Sequence, residues 1–80
     1  MTILKRQDVS RLTNTFTANG ATPVVVNDVA VSADSVVVIT LKTVGGTVGA
    51  VPSIQTITAG TGFTVAATAG DTSVYNYVVL

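Results

Sequence analysis

Residues 52–80 read PSIQTITAGTGFTVAATAGDTSVYNYVVL, and the reading of this stretch decides the fold. Three short runs rich in Thr, Val, Ile and aromatic residues are separated by Ala59-Gly60-Thr61-Gly62 and by Ala69-Gly70-Asp71-Thr72. Side chains that branch at Cβ or carry a ring fit a pleated, half-buried surface, while Gly and Asp supply the turns between such runs. The pattern predicts a β-meander of three strands. Phe63, Tyr75 and Tyr77 lie in it, leaving only Phe16 elsewhere, so it supplies the largest pieces of any core. Alternation puts Phe63, Val65 and Ala67 on one side of the second run. In the third it puts Tyr75, Tyr77 and Val79 on one side and Val74, Asn76, Val78 and Leu80 on the other. Ile54 and Ile57 break the alternation of the first run, which predicts a bulge or register change there. Asp71 followed by Thr72-Ser73 is an Asx-turn sequence, in which a carboxylate accepts from nearby backbone N–H groups. A calcium site at Asp71 is disfavoured, because no second carboxylate lies near it in sequence.

Upstream, residues 13–17 (TNTFT) alternate as a strand anchored by Phe16. Asn19-Gly20 then predicts a two-residue hairpin, since both residues tolerate the positive φ of a type I′ turn, with residues 22–26 as the return strand. Pro23 has no N–H and belongs at a strand start or an edge. Asn27-Asp28 reads as a second turn and residues 29–31 as a short strand. Residues 35–43 (SVVVITLKT) form the clearest strand, with Val37, Ile39 and Leu41 facing one way and Val36, Val38, Thr40 and Lys42 the other. Its second face is apolar at the start, so it is expected to be central and covered on both sides. Residues 44–51 (VGGTVGAV) lack the Gly-Lys-Ser/Thr of a phosphate loop and the following helix of a dinucleotide site, and are read as a contact loop. A faint echo between TFTANGATPVVV and TITAGTGFTV hints at two similar halves. The fold expected is all-β: a small antiparallel β-sandwich or barrel over residues 13–80, its core framework Phe16, Val37, Ile39, Leu41, Phe63, Val65, Tyr75 and Tyr77, preceded by an extended arm over residues 1–12.

Composition bounds what such a domain does. An 80-residue chain buries only about 60–65% of its unfolded surface, and small domains compensate with disulfides, metals or oligomerisation. The chain has no Cys and no His, and its four acidic residues are scattered Asp, which leaves oligomerisation. Only 10% of residues are charged, against about 25% in an average soluble domain, so part of the surface is expected to be covered by other chains. Without His, Cys or paired carboxylates, no acid–base or nucleophilic constellation can be assembled, and the chain is not expected to be an enzyme or to bind a metal or cofactor. Lys5, Arg6 and Arg11 crowd the first eleven positions. Three charges do not make a nucleic-acid footprint; they fit either an arm that touches an acidic neighbour or a solvated N-terminus. No apolar run is long enough for a membrane span, and MTILKRQD places charges where a signal peptide needs an apolar stretch. The expected site of synthesis is a cytoplasm-like compartment.

The string SVVV through TLKTVGGTVGAVP, then ITAGTGFTV and DTSVYNYVVL, resembles small β-rich modules of tailed-bacteriophage virion proteins, and ANGATPVVVND is similar to the opening strands of the same module. GTGFTV followed by DTSVYNY is its most specific part. The resemblance spans roughly residues 15–80 and implies a virion structural protein, assembled in the host cytoplasm. Two placements follow. As a capsid decoration (cement) protein, the chain would sit on the outer shell as a homotrimer, with Lys5, Arg6 and Arg11 reaching onto the major capsid protein or another virion protein and Val36, Val38, Val78 and Leu80 lying between subunits. As a tail-fibre or tail-adaptor component, it would take part in attachment to a host receptor. The absence of shaft sequence favours the head. A host-type carbohydrate-binding domain is disfavoured, because no Trp is present to stack on sugars.

Overall fold

The computed structural model describes residues 13–80 and is all-β. The strands are β1 (Thr13–Thr17), β2 (Val24–Asn27), β3 (Val37–Thr43), β4 (Ser53–Thr58), β5 (Gly62–Ala66) and β6 (Val74–Val79). They form two antiparallel three-stranded sheets, ordered β1-β6-β3 and β2-β5-β4. The inner faces pack together as a small β-sandwich, in which each face contributes alternate residues of its strands.

The middle strands carry the core. Along β6, Tyr75, Tyr77 and Val79 are buried while Val74, Asn76 and Val78 are half-buried on the outer face. Phe63 and Val65 of β5 oppose them, and Phe16, Ala18, Val26 and Val31 complete the cluster. The rings interlock: Phe63 meets Tyr77 edge-on at 5.3 Å, and Phe16 stacks on Tyr75 at 5.5 Å. Such pairs contribute about 0.5–1.5 kcal/mol each beyond the area they bury. Val37 and Ile39 are half-buried against this cluster.

The six strands fall on runs that alternation marks, but one expected strand is missing and several pairings differ. Residues 52–80 are not a meander. β4 and β5 form a hairpin, whereas β6 crosses to the other sheet and pairs with β1 and β3. Nor do residues 13–26 form a hairpin, because β1 and β2 belong to different sheets. A type I′ turn needs positive φ at both central residues; Gly20 has φ 59°, and among the described residues no non-glycine residue has positive φ. The segment is instead pinned to the β5–β6 connection: Ala18 N–H donates to Ser73 O, Gly20 N–H to Asp71 O, and Ala67 N–H to Gly20 O, at 2.8–3.0 Å. These long-range bonds outweigh the local turn preference.

Residues 29–31 are a turn rather than a strand. Asp28 accepts from Ala30 N–H through Oδ1, Val31 is buried, and Val31 O accepts from Gly60 N–H of the β4–β5 turn. β3 is an edge strand, bonded only to β6, and not the centre of its sheet. Leu41, expected in the core, is 43% exposed: it sits on that free edge, where the register slips between Leu41 and Thr43. The irregular spacing of Ile54 and Ile57 corresponds to a register shift between Ile54 and Thr56, which leaves both isoleucines half-buried against the core.

Candidate functional site

Among the described residues, Asp71 and Ser73 are the buried polar side chains, and they form one clasp. Ser73 N–H donates to Asp71 Oδ1 at 2.9 Å, the Asx turn the sequence predicts, and the Tyr75 hydroxyl donates to Asp71 Oδ2. Ser73 Oγ accepts from Gly45 N–H and donates to Gly45 O, tying the loop of residues 44–51 to the β5–β6 connection. Thr47 N–H to Gly70 O and Thr72 N–H to Gly45 O close the same seam. Hydrogen bonds from Ser73, then from Tyr75, hold the Asp71 carboxyl below the usual carboxylate range against the opposing cost of burial. The cluster offers no general base beside a nucleophile, and no group of three His, Cys, Asp or Glu is placed to hold a metal among the described residues. It organises loops.

A second carboxylate–phenol pair links the sheets' ends: the Tyr77 hydroxyl donates to Asp28 Oδ2 at 3.0 Å. Burial, then the hydrogen bond to Asp28 and its charge, push the Tyr77 phenol up to about 12. Burial and Asp71 push Tyr75 up as well. A phenol whose folded pKa is raised contributes stability that is fully present below its unfolded pKa, near 10, and lost as pH climbs through the folded value. Alkaline titration followed by phenolate absorbance is therefore expected to show both tyrosines protonated at pH about 10, where free tyrosine is half ionised. Unfolding is expected to accompany their ionisation as pH approaches about 12. Tyr77→Phe should remove the Tyr77 share of that alkaline loss.

The outer face of β1-β6-β3 carries a different feature. Val38 stands directly across from Val78, and Val36 and Leu80 exchange both backbone hydrogen bonds at 3.2 and 2.8 Å. The register thus gathers the four proposed interface residues into one contiguous apolar patch. Val36, Val38 and Leu80 are 60, 42 and 59% exposed, with Val78 half-buried between them. Further along the same face Thr15, Asn76 and Thr40 lie side by side across the three strands, so the patch ends in a polar margin. β1 begins at Thr13, opposite Val78. Lys5, Arg6 and Arg11 lie outside the described residues. In the loop of residues 44–51, Val44, Val48 and Val51 are exposed.

The opposite outer face, on β2-β5-β4, holds a shallow concavity that reading the sequence did not single out. Its centre is Gly62, with Asn27 and Thr58 beside it on the flanking strands. The signal is not in any one segment; it appears only when three strands are placed in register.

Residues 13–80 match the family model described as K1 capsule-specific polysaccharide lyase, C-terminal domain. No curated protein and no solved structure matches the chain.

Proposed function

The chain belongs to the family of the K1 capsule-specific polysaccharide lyase C-terminal domain, and on that premise we propose that it is a non-enzymatic structural module of a bacteriophage virion, seated in the tail as part of a spike or fibre. The observation that carries this reading is the extent of the match, which takes in the whole described β domain. A domain of a capsule-degrading enzyme belongs where a particle meets its host's outer surface, and the tail is that place. Capsid decoration, the placement favoured from the sequence, shares the low charge and the apolar face but gains no support from the family. The catalytic work of such an assembly falls to other domains, since the described residues bring together no nucleophile and base.

The module works by assembly. Its apolar patch at Val36, Val38, Val78 and Leu80 meets further copies, most simply as a homotrimer about a closed axis. Lys5, Arg6 and Arg11, which precede β1 in sequence, dock it on a neighbouring virion protein. Quantitative mass spectrometry of purified particles tests the placement: a tail component is present as a small multiple of three copies, whereas hundreds of copies per particle would restore the decoration reading. Changing Lys5, Arg6 and Arg11 together to Ala is expected to leave the β domain folded, with an unchanged circular dichroism spectrum, and to lower its retention on particles. Full retention would show that the arm does not dock it.

A further inference from the structure

The two sheets leave four strand edges, at β1, β3, β2 and β4, each bonded on one side only among the described residues. Such an edge presents a row of unpaired N–H and C=O groups, a template onto which another chain can add a strand. The backbone pairing identifies those groups. Ala18 N–H donates to Ser73 O, so by the period of two Thr13, Thr15 and Thr17 turn their amides away from β6. Val36 and Leu80 exchange both bonds, so Val37, Ile39 and Leu41 turn theirs to the free side of β3.

Each edge carries an obstacle, and the obstacles differ. On β1 the outward amide of Thr15 donates at 2.9 Å to Asn14 Oδ1, its own neighbour, and is taken from any incoming strand. On β3, Leu41 and Thr43 oppose the adjacent residues Tyr75 and Val74, which makes Lys42 an inserted residue. On β4, Ile54 and Thr56 oppose the adjacent residues Val65 and Thr64, which makes Gln55 the inserted one. The Gln55 Nε2 group turns back along the strand to Ser53 Oγ at 2.8 Å. An inserted residue interrupts the ladder and bends its strand, and at both places it is a long polar side chain. β2 is only four residues long and starts just after Pro23, which has no N–H. We infer that Asn14, Lys42 and Gln55 determine how copies of this chain associate, closing the edges to strand addition and confining contact to the sheet faces. The partner that fits is a second copy presenting a face, not an extended peptide. Strands added head to tail at unlike edges grow an open fibre unless the rotation closes, whereas faces shared about a closed axis leave no free end. Strands with high β-propensity and low charge are the kind that such growth uses, and only 10% of this chain is charged. The inference rests on the proposed oligomer for the face and on register alone for the edges.

The test compares the full chain with a variant that combines Asn14→Val, Lys42→Val and Gln55→Val. Sedimentation velocity over a range of concentrations reads their sizes, and amide hydrogen exchange reads their edges. The parent is expected to keep one size, with its outward amides at Thr17, Val37 and Ile39 exchanging within about tenfold of an unstructured chain. The variant is expected to reach an average mass at least about twice the parent's, to keep growing with concentration, and to protect those same amides. Protection of the outward amides in the assembled parent would overturn the inference, because its edges would then be in use. So would a variant that is folded by circular dichroism and keeps the parent's size. All three positions are exposed; should the triple variant not fold, Lys42→Val with Gln55→Val takes its place with the same two outcomes. A parent that sediments as a monomer would sink the proposed oligomer, and the edge inference would then stand or fall on the variant's size.

Discussion

Val38→Lys combined with Val78→Glu is expected to convert the proposed oligomer into a folded monomer. The two residues face each other directly across β3 and β6 on the outer surface. Opposite charges at such a cross-strand pair are compatible with the sheet, at about 0.2–1 kcal/mol in its favour, so the sandwich is kept. In the proposed assembly the same two charges lose their water against the apolar patch of the next copy. Desolvation costs several kcal/mol per ion in protein surroundings, which their mutual attraction offsets only in part. A closed oligomer repeats that loss at every interface, and association should weaken by at least about a hundredfold, since each 1.4 kcal/mol is a factor of ten. Sedimentation equilibrium at micromolar concentration measures it: an oligomer for the parent chain and a monomer for the variant. An unchanged oligomer would place the contact elsewhere, with the exposed Val44, Val48 and Val51 of the neighbouring loop as the next surface to change.

Asp71→Ala is expected to have the largest effect on stability. The carboxylate is fully buried and accepts from the Tyr75 hydroxyl and the Ser73 amide. Removing it orphans two buried donors and leaves a void beside the clasp that holds the Gly45 loop to the Ser73 strand entry. Hydrogen bonds to charged groups are the stronger kind, and a domain of this size responds steeply to each one lost, so the thermal midpoint should fall by more than about 10 °C. Asp71→Asn tests the charge separately. Its carboxamide oxygen can still accept from one donor, but its NH₂ then confronts the other. The parent protein's acid sensitivity follows from the same site. A carboxyl held below its ordinary range contributes stability that is present above its unfolded pKa, near 3.9, and is lost as pH falls through the lower folded value. Asp71→Asn should therefore flatten the acid end of the stability profile, as seen by thermal melts at a series of pH values. A variant as acid-sensitive as the parent would assign that loss to other carboxylates.

TNTFT, GFTVA and VYNYVV state their strands plainly, because a period of two with Phe16, Phe63, Val65, Tyr75 and Tyr77 on one side is a local property. The Asx turn at Asp71 and the irregularity near Ile54 are local too, and both are present. Pairing is not local. Asn19-Gly20 carries a strong hairpin signal, yet β1 closes against β6, a pairing that stacks Phe16 on Tyr75. β3 looked central because it is long and apolar, but length says nothing about how many neighbours a strand has. Leu41 shares the inward parity of Val37 and Ile39 and is exposed because the edge strand bulges there. The faint repeat does not correspond to the two sheets, each of which draws strands from both halves. Likewise the row Asn27–Gly62–Thr58 joins three segments that no spacing rule connects.

Imaging of the intact particle tests the central claim most directly. A cryo-electron microscopy reconstruction is predicted to place the two-sheet domain in the tail, with copies meeting through the outer face that carries Val36, Val38, Val78 and Leu80. Density for the domain on the capsid shell, or copies whose β1-β6-β3 outer face is open to solvent, would contradict it.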